Sequence, residues 1–214
     1  MASRGRAVVA CLCCALLALG GCGSPGGARP SPEPPGSTAL RIAAVGDSIT
    51  DANSPDFAGG ELGEESWVSH AVGDGVAFAG GWAQWGATTA QMAAGAQPVD
   101  ADVLVVLAGT NDVTAGIPFD ETAANIAEIA ATVDAPRVLI SAVPPIDPDP
   151  ALATELNANL EALAVAREWE FVDAPAEARE GDRFAPGMSE DGVHPTAQGA
   201  RVIGAAVRAA LVAE

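Results

Sequence analysis

The run Val103-Leu104-Val105-Val106-Leu107 contains no polar residue, and it constrains the fold more than any other stretch. A strand with one wet face alternates apolar and polar residues, whereas an unbroken apolar run fits a strand covered on both faces. Similar short runs at 40–45, 76–79, 138–142 and 170–172 predict four more strands. Helical patterns lie between them, at 66–72, 88–94, 120–133, 151–167 and 196–212. Asp120 is the expected N-cap of the third helix. In the last helix Val202, Ile203, Ala206 and Ala210 form the expected apolar stripe, with Arg201 and Arg208 on another. This β–α alternation predicts an α/β fold: a mostly parallel sheet with helices on both faces. No internal repeat is present. A length of 214 residues, 49% of them apolar, suits one domain with a real core and a short appendage.

Parallel strands place all their carboxyl ends on one edge, where open α/β sheets form their sites. The residues that follow the strands therefore carry most information. The first strand runs into Gly46-Asp47-Ser48-Ile49-Thr50, with Gly46 expected to permit the backbone conformation of a tight turn. The second leads into a loop through Gly80, Gly81 and Trp82 to Gly86. Gly109-Thr110-Asn111-Asp112 follows the third. A longer loop after the fifth ends in Asp191-Gly192-Val193-His194-Pro195. Each piece alone is an ordinary turn or cap. Together they supply a hydroxyl, an imidazole, a nearby carboxylate, a side-chain amide and a flexible backbone amide.

A serine hydroxyl is a poor nucleophile until a base takes its proton. The chain has two histidines and no tyrosine. His70 falls inside a predicted helix and reads as a surface or packing residue. His194 follows a turn and precedes Pro195, which favours extended backbone. Asp191 can reach its ring at Nδ1 and leave Nε2 facing Ser48. The Ser48 and Gly86 amides and the Asn111 side chain are candidate donors to an oxyanion.

Composition removes competing chemistries. All basic residues are arginine, so Ser–Lys dyads, Schiff bases and P-loop lysines are excluded. The four cysteines, Cys11, Cys13, Cys14 and Cys22, precede Gly23, which leaves the body without disulfides, thiol nucleophiles or thiolate metal sites. A formal charge of −18 disfavours nucleic acid and anionic lipid as partners.

The amino terminus reads as an address. Arg4 and Arg6 precede an apolar run over 7–19, which is shorter than the ~20 residues a membrane span needs. Leu19-Gly20-Gly21-Cys22 resembles the bacterial lipobox. The resemblance implies a lipoprotein signal peptide over 1–21, cleavage before Cys22 and a lipid on its sulfur. The Gly- and Pro-rich stretch up to residue 38 reads as a tether, and 39–214 as the domain. The expected location is the outer face of a bacterial cell membrane, with simple secretion as the alternative.

The four strand-end blocks, in this order, resemble the SGNH hydrolases, or GDSL esterases. The resemblance covers roughly residues 39–212. It rests on Gly46-Asp47-Ser48-Ile49, Gly86, Gly109-Thr110-Asn111-Asp112 and Asp191-Gly192-Val193-His194-Pro195. It implies a flavodoxin-like, three-layer α/β/α sandwich with a five-stranded parallel sheet. It also implies hydrolysis of a small carboxylic ester through an acyl-enzyme, without cofactor or metal. Ser48 is then the nucleophile, Asp191 and His194 complete the triad, and Ser48, Gly86 and Asn111 form the oxyanion hole. A monomer is expected. Acyl transfer or carbohydrate deacetylation on the same triad, and non-catalytic binding of an acylated ligand, are the alternatives. The loops 51–65, 144–150 and 174–190 are expected to wall the site, with Trp82, Trp85 and Phe184 as candidate apolar wall residues.

Overall fold

The computed structural model describes residues 39–213. The expected signal peptide 1–21, the lipidation site Cys22 and the tether up to residue 38 lie outside the described residues.

Five parallel strands build the sheet: β1 (Leu40–Gly46), β2 (Val76–Ala83), β3 (Val103–Leu107), β4 (Arg137–Ser141) and β5 (Glu170–Val172), in the order β2-β1-β3-β4-β5. The unbroken run of β3 is buried at every position, as a strand covered on both faces requires. Leu104 and Leu107 of β3 and Leu139 and Ile140 of β4 are among the largest fully buried side chains. Each contributes about 1.5–3 kcal/mol relative to exposure. The edge strands β2 and β5 are mostly half-buried.

The helices are α1 (Ser48–Asp51), α2 (Trp67–Ala71), α3 (Thr89–Gly95), α4 (Thr110–Thr114), α5 (Phe119–Val133), α6 (Pro150–Arg167) and α7 (Ala197–Val212). α2 packs on α7, while α3 packs on α5 and α5 on α6. The result is the three-layer α/β/α architecture. A small antiparallel hairpin, β6 (Arg179–Glu180) and β7 (Arg183–Phe184), decorates the stretch before α7.

Several expected boundaries move. β2 continues to Ala83 instead of ending at residue 79. Its pairing with β1 passes from Ile42–Phe78 to Ala43–Gly80, so Ala79 is an extra residue in a bulge. Gly80 and Gly81, which read as a loop, instead continue the strand directly after the bulge. α5 starts at Phe119 behind Pro118, so Asp120 lies in the first turn and is not the cap. The buried stripe of α7 is Ile203, Val207 and Leu211, flanked by Ala200 and Gly204. Val202, Ala206 and Ala210 border it, half-buried. The loop 51–65 is more than a solvated wall. Phe57 is buried in it and meets Phe78 of β2 edge-on, with ring centroids 5.3 Å apart.

Candidate active site

The nucleophile candidate sits where β1 ends. Asp47 caps the one-turn helix α1 by accepting a hydrogen bond from the Ile49 amide at 3.0 Å, and Ser48 is the first helical residue. Gly46 serves close approach rather than unusual backbone, since its φ is not positive. A Cβ there would lie 2.1 Å from Thr50 Oγ1 and 2.7 Å from the Leu107 carbonyl oxygen. Thr50 is pinned in turn. Its hydroxyl accepts from Trp67 Nε1 at 3.0 Å and its carbonyl from Ser66 Oγ at 2.6 Å. Trp67 and Ser66 are fully buried, so the core fixes the position of Ser48.

The candidate base comes from a half-exposed loop. Ser48 Oγ lies 2.9 Å from His194 Nε2, and His194 Nδ1 lies 2.7 Å from Asp191 Oδ2. A carboxylate only accepts, so Nδ1 carries the proton and Nε2 presents its lone pair to the Ser48 hydroxyl. Partial burial alone would raise the Asp191 carboxyl. The His194 and Val193 amides and the His194 ring outweigh that and hold it well below the usual carboxylate range. The loop is laced locally. Ser189 Oγ accepts from the Gly192 amide at 2.9 Å and donates to the His194 carbonyl at 2.7 Å. The Asp147 amide donates to the Gly192 carbonyl at 2.8 Å, which ties the loop after β4 to the loop that carries the base.

Asn111 lies on α4, a short helix in place of the expected turn after β3. Its Nδ2 donates to Asp47 Oδ2 at 3.3 Å and to the Ala87 carbonyl at 3.0 Å. One side chain thereby joins the segments after β1, β2 and β3. An oxyanion would compete with the longer contact, to Asp47. Gly86 adopts the left-handed conformation, φ 70°, which suits glycine. Its two neighbours both reach the site: Ala87 through Asn111, and Trp85 by stacking on the His194 ring, centroids 4.9 Å apart and planes 29° apart. Burial pushes the Asp47 carboxyl up to about 7, against the lowering effects of the Ile49 amide and nearby His194.

A recess of about 20 Å³ touches Ser48, His194 and Trp85. Beyond the imidazole, a wider one of about 210 Å³ is bordered by Glu65, Glu190 and Thr196. A cavity of about 610 Å³ lies between α6 and the ends of β4 and β5 and touches none of Ser48, Asp191 or His194. Of the candidate wall residues, only Trp85 borders either recess, and it borders the smaller one. Trp82 packs against Gly95, and Phe184 is held by its amide on Asp147 Oδ1 at 3.0 Å. His70 is apart from the site, with Nε2 2.8 Å from the Glu64 carbonyl. Among the described residues no group of three or more His, Cys, Asp or Glu is placed to hold a metal ion.

The supporting roles of Asp47, Ser189, Asp147 and Asp112 escaped the sequence. Asp112 is buried and accepts from the Thr89 amide at 2.9 Å, the Thr89 hydroxyl, and Thr122 Oγ1 at 3.1 Å, which binds α3, α4 and α5 together. Asp47 and Asp112 stand inside the blocks that suggested the site, which is the only hint of them in the sequence.

None of the curated proteins compared with the chain matches it. Solved structures do share its fold. A GDSL-like lipase from Bacteroides thetaiotaomicron VPI-5482 is 24% identical, with a TM-score of 0.59 over 82% of this chain and 88% of that one. A member of the lipolytic protein G-D-S-L family from Veillonella parvula DSM 2008 is 22% identical, with a TM-score of 0.62 over 81% and 98%. An acetylxylan esterase from Geobacillus stearothermophilus is 17% identical, with a TM-score of 0.64 over 83% and 96%. The pattern of one family matches residues 44–202, a span from β1 into α7 that takes in all four strand-end blocks. The chain belongs to the GDSL-like lipase/acylhydrolase family and is a hydrolase of ester bonds.

Proposed function

We propose that the chain cleaves small carboxylic esters through an acyl-enzyme on Ser48, at the outer face of a bacterial membrane to which lipidated Cys22 anchors it. The observation that carries the chemistry is the unbroken line from Ser48 Oγ through His194 to Asp191, at 2.9 and 2.7 Å. His194 Nε2 takes the Ser48 proton as Oγ bonds to the ester carbon. The carbonyl becomes an oxyanion that the Ser48 and Gly86 amides and Asn111 Nδ2 stabilise. As the oxyanion collapses, the bond to the alcohol breaks and the alcohol leaves with the proton from His194. Water, deprotonated by the same imidazole, then attacks the acyl-enzyme, and the carboxylic acid departs from Ser48. This route needs no cofactor and no second copy of the chain.

Ser48→Ala should lower kcat on p-nitrophenyl acetate by about 10⁴–10⁶-fold with no change in the circular dichroism spectrum. Undiminished hydrolysis by this variant would sink the mechanism. The anchor rests on the Leu19-Gly20-Gly21-Cys22 sequence alone. Cys22→Ser should move the protein from the membrane to the soluble fraction, and membrane retention of that variant refutes the anchor. Carbohydrate deacetylation is a second reading, favoured by the structural likeness to an acetylxylan esterase. Acyl transfer would use the same acyl-enzyme with another acceptor. Non-catalytic binding is disfavoured by the intact hydrogen-bonded line.

A further inference from the structure

We infer that Trp85 closes the acyl side of the site and restricts the acyl group to the size of acetyl, a statement that rests on the ester-hydrolase reading above. Attack by Ser48 Oγ turns the ester carbon tetrahedral. Its oxygen turns toward the Gly86 and Asn111 side. The acyl substituent and the leaving oxygen then face the imidazole side, where two recesses open.

The two recesses share Glu65, His194 and Pro195 but differ in what else they touch. The wider one, about 210 Å³, lies past the imidazole against Glu65, Glu190 and Thr196 and does not touch Ser48. It suits an alcohol that departs with the proton of His194. The smaller one touches Ser48 itself and is lined by Ile49 of α1, by Ala52 just after that helix, and by Trp85. It suits the acyl substituent, which stays bonded to the carbon on Oγ.

The smaller recess gives about 20 Å³ of room for the centre of a water-sized group. One such group needs about 10–15 Å³. A methyl is the acyl substituent nearest that size, and the longer chain of a butyryl group does not fit without moving a wall. Ile49 is buried and rooted in the core, and Ala52 has nothing left to trim. Trp85 is 48% exposed, so it is an apolar wall that can be removed without opening the core. Its indole is oriented by the stack on His194.

The test compares p-nitrophenyl acetate, butyrate and hexanoate on the wild type, Trp85→Ala, Trp85→Phe and Ser48→Ala. The wild type should favour acetate over butyrate in kcat/KM by about tenfold or more, the scale of discrimination that excess methylenes produce in a fitted pocket. Trp85→Ala should raise the butyrate-to-acetate ratio by about tenfold. Trp85→Phe, which keeps an aromatic ring on His194, should raise it less. A merely structural role for Trp85 would depress all three esters equally and leave the ratio unchanged. That result overturns the proposal while leaving ester hydrolysis standing. A wild type that hydrolyses hexanoate as well as acetate also overturns it. If no ester is cleaved in a Ser48-dependent way, the hydrolase mechanism fails first and takes this inference with it.

Discussion

The turn after β1 and the loop before α7 each place a carboxylate beside a reacting group, in opposite surroundings. Asp47 is fully buried beneath Ser48, and burial pushes its carboxyl up to about 7. Asp191 has a side chain 55% exposed, and hydrogen bonds from its own loop hold its carboxyl low. The first half of the site owes its geometry to the sheet and to Trp67 and Ser66 packed under it. The second owes it mostly to a short ring of local hydrogen bonds around Ser189 and Asp191, with one tie to the loop after β4, from the Asp147 amide to the Gly192 carbonyl. A perturbation of the first half should therefore reach the fold, and one of the second should mostly reach the chemistry.

The largest expected effect that tests this contrast is Asp191→Asn. It removes the acceptor for Nδ1–H, so the imidazole loses its tautomer and aim. A fall in kcat of about 10⁴-fold is expected, with the melting temperature nearly unchanged. A large drop in melting temperature would show that the loop supports the fold after all. Asn111→Ala comes next. One missing oxyanion donor should cost about 10²–10³ in kcat. Because Asn111 also links Asp47 to Ala87, this variant should in addition lose some thermal stability. An effect confined to KM would place Asn111 in ground-state binding instead.

The smallest effect is a pH slope. A carboxyl raised from 3.8 to about 7 binds its proton more tightly in the folded state than in the unfolded one. Its contribution to stability is fully present below about pH 4 and is lost as pH rises through about 7. Asp191 has the opposite sign, with a contribution present above its unfolded pKa and lost on acidification, and solvent screening keeps it small. Denaturant titrations of Asp47→Asn should therefore lack the decline in stability between pH 4 and 7 that the wild type shows. An unaltered slope would mean that another group carries it.

What the sequence displayed follows the same division. β3 was legible because a strand covered on both faces needs an unbroken apolar run, and β1 and β4 because each holds a shorter one, at 42–45 and 138–140. β2 was cut short because Gly80 and Gly81 read equally as a loop and as part of a continuing strand. α1 and α4 have four and five residues, too few to show a helical period. Ser48, Asn111, Asp191 and His194 were legible because each directly follows a strand end or precedes a helix, and Asp191 and His194 are near neighbours in sequence. Thr50 beneath Trp67, and Asp147 against Gly192, are set by distant segments that meet only after folding. Trp85 had a weak signal, its place beside Gly86, and nothing in its identity distinguished a wall residue from a core one.

The strand order has a consequence of its own. β1 sits between β2 and β3, so the chain leaves it toward one edge of the sheet first and later returns to build toward the other. The connections above β1 and β3 consequently part, and the crevice between them is a product of winding rather than of any side chain. Ser48 and Asn111 stand on its two banks. The cleft would exist before a single catalytic residue was chosen, and the chemistry needed only to furnish it.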